Sequence, residues 1–364
     1  MKNQKTLLFG LLLSSTVVFS QVEELTPQEQ RYRDSITALN LENVAIANSQ
    51  TAYNEGIQSF TEGNYAKALE NFKKSVSFDP NFTAAYYNQG IAENELGKFS
   101  DAVKTLTGLI DKNPAYSKAF FQRGKAYQGL SEYLNAEKDY DKSIALDPAN
   151  PKAYYNYGTL RFLQQDYKTA ITYFTKAIEL DKNFAFAYND RGSCYRMLED
   201  YPKAIADYQE AERKNPNLAF VLNNIGTTKK KMKDFQGSMA AFNRAISIDP
   251  NFHLAYNNRG VAQFEANKLD DAKKDFEKVL SINPKYAPAA SNLSAIYFKQ
   301  KNYEKALEFA KKAIEADKNY AGAYVNSANA KEMLRDMDGA CSDWHKAGEL
   351  GAVNGQTYYS ANCQ

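Results

Sequence analysis

Asparagine recurs along this sequence at a fixed interval of 34 residues. Nine positions at this interval, from residue 54 to residue 326, are called the ladder positions here; two of them hold Gln122 and Asp190. The other seven are Asn54, Asn88, Asn156, Asn224, Asn258, Asn292 and Asn326. A carboxamide has one acceptor oxygen and two N–H donors, so it can pair with the N–H and the C=O of a foreign backbone. The row therefore indicates a binding site for an extended peptide.

Aromatic residues precede the first ladder positions. They are Tyr53, Tyr87, Phe121 and Tyr155, whereas the next three equivalents are Asn189, Asn223 and Asn257. Exposed rings would offer apolar contact to a peptide side chain or stacking to a sugar. The same rings would equally suit packing between neighbouring helices. Both interpretations fit the sequence.

Catalytic and nucleic-acid-binding patterns are missing. His253 and His345 are the only histidines, and no HExxH, GxSxG or phosphate-binding glycine motif occurs. The 45 basic and 43 acidic residues leave a net charge of +2, which gives no field strong enough to indicate nucleic acid or an anionic membrane. We expect a non-enzymatic protein with no catalytic residues, no metal, no cofactor and no nucleic-acid partner.

The N-terminus resembles an export signal. Lys2 and Lys5 precede an apolar run over residues 7–19, and Ser20 offers a small residue for cleavage before Gln21. This pattern predicts a signal peptide over residues 1–20 and a periplasmic or secreted mature chain without a membrane span. An uncleaved membrane anchor is the alternative.

Export changes the interpretation of the three cysteines. Cys341 and Cys363 bracket the C-terminal end, and an oxidising compartment permits a disulfide between them. Closing that loop would contribute about 3 kcal/mol in the chain-entropy model; two free thiols are the alternative. Cys194 stands apart and is expected to be a small apolar core residue.

Three other residue types follow the same 34-residue interval and predict the elements that carry the ladder. Proline recurs from Pro80 to Pro284, glycine from Gly56 to Gly260, and alanine from Ala68 to Ala340. Within one interval, apolar residues at helical spacing surround a polar turn and end before Asp-Pro or Asn-Pro. Each interval is therefore predicted to be two helices, whose backbones approach at the glycine opposite a facing alanine. One such pair cannot bury its apolar face alone, so the pairs must stack.

This arrangement of Gly, Ala, an aromatic residue and Pro resembles the tetratricopeptide repeat. The resemblance covers residues 49–354, with departures at Ser294 and Ala328 in place of Gly and at Lys182 and Lys318 in place of Pro. It predicts an all-α, right-handed superhelical solenoid with a helical cap over 21–48 and another over 355–364. The nine predicted repeats are 49–82, 83–116, 117–150, 151–184, 185–218, 219–252, 253–286, 287–320 and 321–354.

The resemblance also implies a role for the ladder. In that family the first helix of each repeat lines the concave side, so the asparagines would line a groove that binds a peptide or protein partner. Asparagine is also a consensus residue there and can serve helix packing. Each hydrogen bond would contribute about 0.5–1.5 kcal/mol, so neighbouring side chains must set selectivity. The alternative function is a glycan-binding solenoid that uses the aromatic half of the groove.

Overall fold

The structure, a computed structural model, describes residues 26–363, and this part of the chain contains helices and turns but no strand. The predicted all-α, repeat-built fold is confirmed. The predicted signal peptide lies outside the described residues. The helices are α1 Pro27–Thr61, α2 Tyr65–Phe78, α3 Thr83–Glu95, α4 Phe99–Lys112, α5 Ser117–Gly129, α6 Tyr133–Leu146, α7 Pro151–Leu163, α8 Tyr167–Leu180, α9 Ala185–Met197, α10 Tyr201–Lys214, α11 Ala219–Lys231, α12 Phe235–Ile248, α13 His253–Glu265, α14 Leu269–Ile282, α15 Ala287–Lys299, α16 Tyr303–Ala316, α17 Ala321–Met333, α18 Met337–Glu349 and α19 Val353–Asn362.

The chain divides into two compact units between Thr105 and Leu106, within α4. In the first unit α1 packs on α2 and α2 on α3. In the second unit each helix from α5 onward packs on the next, and the odd-numbered helices α5 to α19 also contact one another in order. We call the odd-numbered helices α1 to α17 the first helices and their even-numbered partners the second helices. The contacts among α5 to α17 place their ladder positions side by side.

At the turn between each first helix and its second helix, one residue has a positive φ in the left-handed region. Gly63 and Gly97 occupy this position with φ of 77° and 69°. In the first turn Asn64 N–H donates to the Ser59 carbonyl at 2.9 Å, which satisfies the helix end. Ordinary residues take the same conformation in the later turns: Ser131, Gln165, Glu199, Lys233, Asn267, Lys301 and Arg335. The turn geometry therefore persists where glycine is absent.

An aspartate or asparagine directly follows every second helix except α18, which is followed by Leu350. The Asp181 carboxylate accepts a hydrogen bond from Asn183 N–H at 2.9 Å, and Asp317 accepts one from Asn319 N–H at 2.8 Å. Such a side chain holds a turn by itself. The repeats with Lys182 and Lys318 in place of proline consequently still stop at the expected position.

The recurring glycine lies under an aromatic ring of the second helix. A Cβ added to Gly226 would lie 2.6 Å from the Phe242 ring, and one added to Gly158 would lie 2.8 Å from Phe174. Tyr140, Tyr208 and Phe276 cover the glycines 16 residues before them in the same way. The alanine expected to face the glycine is also close to it, since a Cβ added to Gly192 would lie 3.1 Å from the Ala204 carbonyl oxygen. The ring four residues after that alanine, which the sequence did not predict as a contact of the glycine, fills the remaining space. Where Ser294 replaces the glycine, the ring position holds Ala310, which is fully buried.

Alternate repeats of the second unit contain an Arg–Asp pair inside the hairpin. Arg191 donates two hydrogen bonds to the Asp207 carboxylate, at 2.8 and 2.7 Å, and a third to Thr175 of the preceding second helix at 3.0 Å. Arg123–Asp139 and Arg259–Asp275 repeat this arrangement. The hairpins between them hold apolar or aromatic pairs at these positions, namely Tyr157 with Tyr173, Ile225 with Ala241, and Leu293 with Phe309.

The C-terminal end is packed and cross-linked. Tyr359 and Cys363 pack against buried Ala340 and Trp344 of α18. The Sγ atoms of Cys341 and Cys363 are bonded, with their Cα atoms 5.7 Å apart. Cys194 is fully buried, and burial raises the pKa of its thiol to about 12, which makes it unreactive.

The described residues contain neither a membrane-spanning helix nor a metal-binding cluster. Among residues 26–363 no helix is both long and apolar enough to cross a membrane. The same part of the chain contains no group of three or more His, Cys, Asp or Glu side chains placed to hold a metal ion.

Replacing a glycine under a ring should destabilise the protein, whereas the same change elsewhere should not. Gly226→Ala should lower the free energy of unfolding by about 1–3 kcal/mol, because its methyl group meets Phe242 in a filled core. Gly108→Ala, in α4 with nothing within 4 Å of the added Cβ, should raise it by up to about 1 kcal/mol through helix propensity. Urea unfolding measures both variants, and equal effects would contradict the ring-over-glycine contact.

Candidate functional site

Four ladder asparagines of the second unit donate a hydrogen bond to the preceding repeat. Asn224 Nδ2 donates to Asn189 Oδ1 at 2.9 Å, across 35 residues of sequence. The bonds from Asn258 to Asn223, from Asn292 to Asn257 and from Asn326 to Ser291 follow the same rule. The acceptor is always the residue just before a ladder position. Each bond therefore joins one first helix to the next and fixes the orientation of one carboxamide.

At Tyr53 and Tyr155, which precede ladder positions, the tyrosine hydroxyl forms the hydrogen bond to the ladder residue of the next repeat. Asn88 Nδ2 donates to the Tyr53 hydroxyl at 3.0 Å in the first unit, and in the second the Tyr155 hydroxyl donates to Asp190 at 2.7 Å. Phe121 has no acceptor, and Asn156 instead donates to the Lys152 carbonyl of its own helix at 2.9 Å.

Asn54, in α1, is exposed and accepts a hydrogen bond from Gln50 at 2.9 Å. Its side chain is therefore held only by its own helix. Of the asparagine ladder residues, Asn54 and Asn156 are the two whose hydrogen bonds stay within one helix.

The aromatic residues before the ladder face the protein more than solvent. The Tyr53 ring lies 5.9 Å from Phe72, and Tyr87 is half-buried in α3. Tyr155 lies 4.8 Å from Phe184. Phe121 is only 8% exposed and packs on Tyr140. At Phe121 the structure agrees with the packing interpretation, because its hairpin uses that ring to fill the core.

The inter-repeat bond leaves part of the Asn224 and Asn292 carboxamides open, whereas Asn258 Oδ1 accepts a hydrogen bond from Asn257 Nδ2 at 3.4 Å. The Oδ1 atoms of Asn224 and Asn292 accept no hydrogen bond from the described residues, and both side chains are only half-buried. Each amide donates one N–H to the preceding repeat, so one acceptor and one donor remain. Those two groups are the minimum needed to pair with both polar atoms of a foreign peptide unit.

Sequence reasoning missed an apolar strip next to the ladder. Phe186, Phe220 and Leu254, which we call the apolar strip, lie four residues before successive ladder positions and so share their helix face. Phe186 is 45% exposed and Leu254 36% exposed, and the rings of Phe186 and Phe220 lie 5.8 Å apart. The signal was a large apolar residue at the second position of three consecutive first helices, where Lys118 and Lys152 stand in earlier repeats.

Asp190 is the one charged ladder residue. Burial raises the pKa of its carboxyl group, although the Tyr155 hydroxyl and the Asn189 amide both donate to it. Burial also raises the pKa of the Tyr155 hydroxyl, to which the neighbouring Asp190 charge adds. Folding therefore disfavours the ionised form of Asp190, and the two hydrogen bonds offset part of that cost.

Tetratricopeptide repeat family models match most of the described chain. They cover residues 84–116, 117–150, 150–215, 221–252, 241–274 and 263–332. The chain belongs to the tetratricopeptide repeat family. Proteins of this family are generally non-enzymatic scaffolds whose repeats bind protein or peptide partners. No curated protein matches this tetratricopeptide repeat chain in sequence.

Solved structures share the tetratricopeptide repeat fold. The APC/C hetero-tetramer Cut9–Hcn1 is similar over 73% of this chain and 52% of its own, at 18% identity and a TM-score of 0.56. The chain thus spans about half the length of that relative. Pseudomonas aeruginosa PilF is similar over 59% of this chain and 98% of its own, at 21% identity and a TM-score of 0.51. The type IV pilus biogenesis factor PilW is similar over 57% and 97%, at 20% identity and 0.51. These likenesses show an all-α solenoid fold.

Replacing Asp190 by asparagine should stabilise the tetratricopeptide repeat chain at neutral pH. A carboxyl group whose pKa is raised by folding favours the folded state when protonated, and this contribution is lost as the pH rises through the raised pKa. Asp190→Asn removes the buried charge, and Asn88 with Tyr53 shows that the neutral pair fits. The difference in unfolding free energy should shrink as the pH falls towards the ordinary aspartate value of 3.8. A gap that is constant or grows on acidification, measured by urea unfolding, would contradict the assignment.

Proposed function

We propose that the chain is an exported, non-enzymatic scaffold that binds an extended segment of a protein partner along the ladder of its first helices. The observation that carries the proposal is the pairing of two open acceptors, Oδ1 of Asn224 and Oδ1 of Asn292, with the apolar strip on the same first-helix face of the second unit. The proposal includes nine repeats over residues 49–354, with helical caps at 21–48 and 355–364.

The chemistry of the two rows suits an extended peptide. Its main chain would pair with the free acceptor and donor of carboxamides such as Asn224 and Asn292. Side chains on one face of an extended segment recur about every 6.6–6.8 Å, close to the 5.8 Å between the rings of Phe186 and Phe220. Main-chain bonds would then give affinity, and apolar side chains on the strip would give selectivity.

A glycan is the weaker candidate. Stacking on a sugar needs an open ring face. Tyr53 and Tyr155 pack against other rings and bond through their hydroxyls, and Phe121 is buried. The exposed ring of Phe186 stacks on the half-buried ring of Phe220 beside the ladder, where the pair would support a peptide.

Export is supported by the leader-like residues 1–20 and by the bonded Cys341 and Cys363. A disulfide persists in an oxidising compartment and is rare in the cytosol. The two features come from opposite ends of the chain and indicate the same destination.

Removing the ladder carboxamides should abolish peptide capture. The variant N224A/N258A/N292A loses the open acceptors of Asn224 and Asn292 and the remaining N–H donors of all three amides, and its binding to an array of random decapeptides should fall to background. The matched control N189A/N223A/N257A loses the same three inter-repeat bonds from the acceptor side. Both variants should lose about 0.5–1.5 kcal/mol of stability per bond, but only the first should lose binding. Equal binding by the two variants would assign the ladder to packing alone.

The exported form should begin at Gln21 and contain one disulfide. Intact mass of the protein secreted by a bacterial host should match residues 21–364, and reductant should add two hydrogens. The variant C341S/C363S should lose about 3 kcal/mol of stability in the chain-entropy account. A retained leader or a mass unaffected by reductant would refute the respective part.

A further inference from the structure

A cavity of about 430 Å³ lies between α12 and the C-terminal end of α13 in the second unit. Its lining includes Phe235 and Met239 of α12 and Ala262 and Gln263 of α13. Gln263 stands five residues after the ladder residue Asn258, and five residues turn a side chain about 140° around the axis of an α-helix. The cavity therefore lies on a different face of α13 from the ladder, and its volume falls in the range of small-ligand sites.

Gln263 occupies a position that three other repeats fill with a tyrosine ring. The equivalent residues, at multiples of 34 residues along the chain, are Tyr127, Tyr195 and Tyr297. Tyr297 is buried and stacks on Phe309, with ring centroids 5.3 Å apart, and Tyr195 packs against a buried cluster of the core. Because the glutamine side chain has no ring, the space that a tyrosine fills in those repeats stays open beside it.

The Gln263 carboxamide lacks a donor for its oxygen. The residue is only 9% exposed, and its Oε1 is buried and accepts no hydrogen bond from the described part of the chain. Charged residues at the same position elsewhere are paired, Arg161 with Glu137 and Lys331 with Asp343. A buried acceptor without a donor costs free energy, and the last side-chain torsion of glutamine is broad enough to turn the oxygen towards a ligand. An O–H or N–H group entering the cavity would satisfy it.

The ring of Phe235 at the cavity wall also lacks a partner. At the start of another second helix, Tyr167 packs on the ring of Phe162, five residues before it, with centroids 5.4 Å apart. Lys230 stands at the corresponding position before Phe235 and pairs with Glu265 instead. Phe235 is consequently 47% exposed, and within the described residues no aromatic ring packs on it. The wall thus offers an open ring to a ligand.

We propose that this cavity binds a phenol ring supplied from outside the chain, in place of the tyrosine that the α13–α14 hairpin lacks. The ring would pack on Phe235, and its hydroxyl would donate to Gln263 Oε1. Lys268 also lines the cavity, and its ammonium would lie by the ring as that of Lys203 lies 5.4 Å from the Tyr195 ring. The site goes beyond the proposed function, because it uses no ladder residue.

Two small probes separate the hydrogen bond from the burial of the ring. In calorimetry, 4-methylphenol should bind saturably with a dissociation constant of about 1 mM, as expected for a ligand of so few atoms. Toluene has the same ring and methyl group without the hydroxyl and measures apolar burial alone. The variant Q263L keeps a side chain of similar size and removes the acceptor. The ratio of the two affinities should therefore shift about fivefold in favour of toluene in Q263L.

Filling the cavity from within tests its location. Q263Y restores the residue that Tyr195 and Tyr297 provide in their repeats, so it should abolish the binding of 4-methylphenol and raise the temperature of unfolding. The control Q209Y adds a tyrosine at an exposed position of α10 outside the cavity lining and should leave binding unchanged. Circular dichroism confirms that each variant is folded.

A third probe separates the two sources of a phenol, a tyrosine of a protein partner and a free small molecule. N-acetyltyrosinamide binding at least as tightly as 4-methylphenol supports a tyrosine side chain, and weaker binding supports a free phenol. No saturable binding of 4-methylphenol, full binding by Q263Y, an equal loss in Q209Y, or an affinity ratio unchanged in Q263L overturns the proposal. N224A/N258A/N292A should bind 4-methylphenol normally, so failure of the ladder would be seen separately from failure of the cavity.

Discussion

The contact between a glycine of the first helix and an aromatic ring of the second sets the spacing of each hairpin that has both. A Cβ at Gly226 would lie 2.6 Å from Phe242, so the two backbones could not come as close with any larger residue. In a close-packed interior such a contact leaves few other arrangements. Repeated along the chain, it helps to hold consecutive first helices within hydrogen-bond reach of one another. The inter-repeat bonds of the ladder depend on that regularity.

The ladder asparagines use their two ends for different purposes. The Nδ2 atom of Asn224 is tied to Asn189 of the preceding repeat, while its Oδ1 stays open. In the proposed function, the tie would orient the carboxamide before a ligand arrives and so lower the entropy that binding must overcome. Packing and binding, which the sequence presented as competing roles, are thus compatible in one side chain.

The hairpins could be predicted because their signals are local: glycine, alanine, proline and polar turns at fixed offsets. The site was less predictable because its geometry depends on partners 35 residues away. The positions of the ladder asparagines were found, but the direction of the Asn224 amide follows from Asn189, and the burial of Phe121 follows from Tyr140. The apolar strip was not predicted from the sequence because Phe186 and Phe220 lie at the starts of their helices, four residues before the ladder positions.

The Arg–Asp pairs recur only in every second hairpin of the second unit, which gives that unit a period twice as long as its repeat. Near-identical hairpins are prone to exchange places during folding, because each presents a similar surface to its neighbour. A second helix displaced by one repeat would leave Arg191 facing an apolar residue in place of Asp207, and a half-buried guanidinium without its carboxylate is strongly destabilised. The alternation therefore destabilises any stack in which a helix is shifted by one hairpin. This favours the arrangement in which each hairpin occupies its own place.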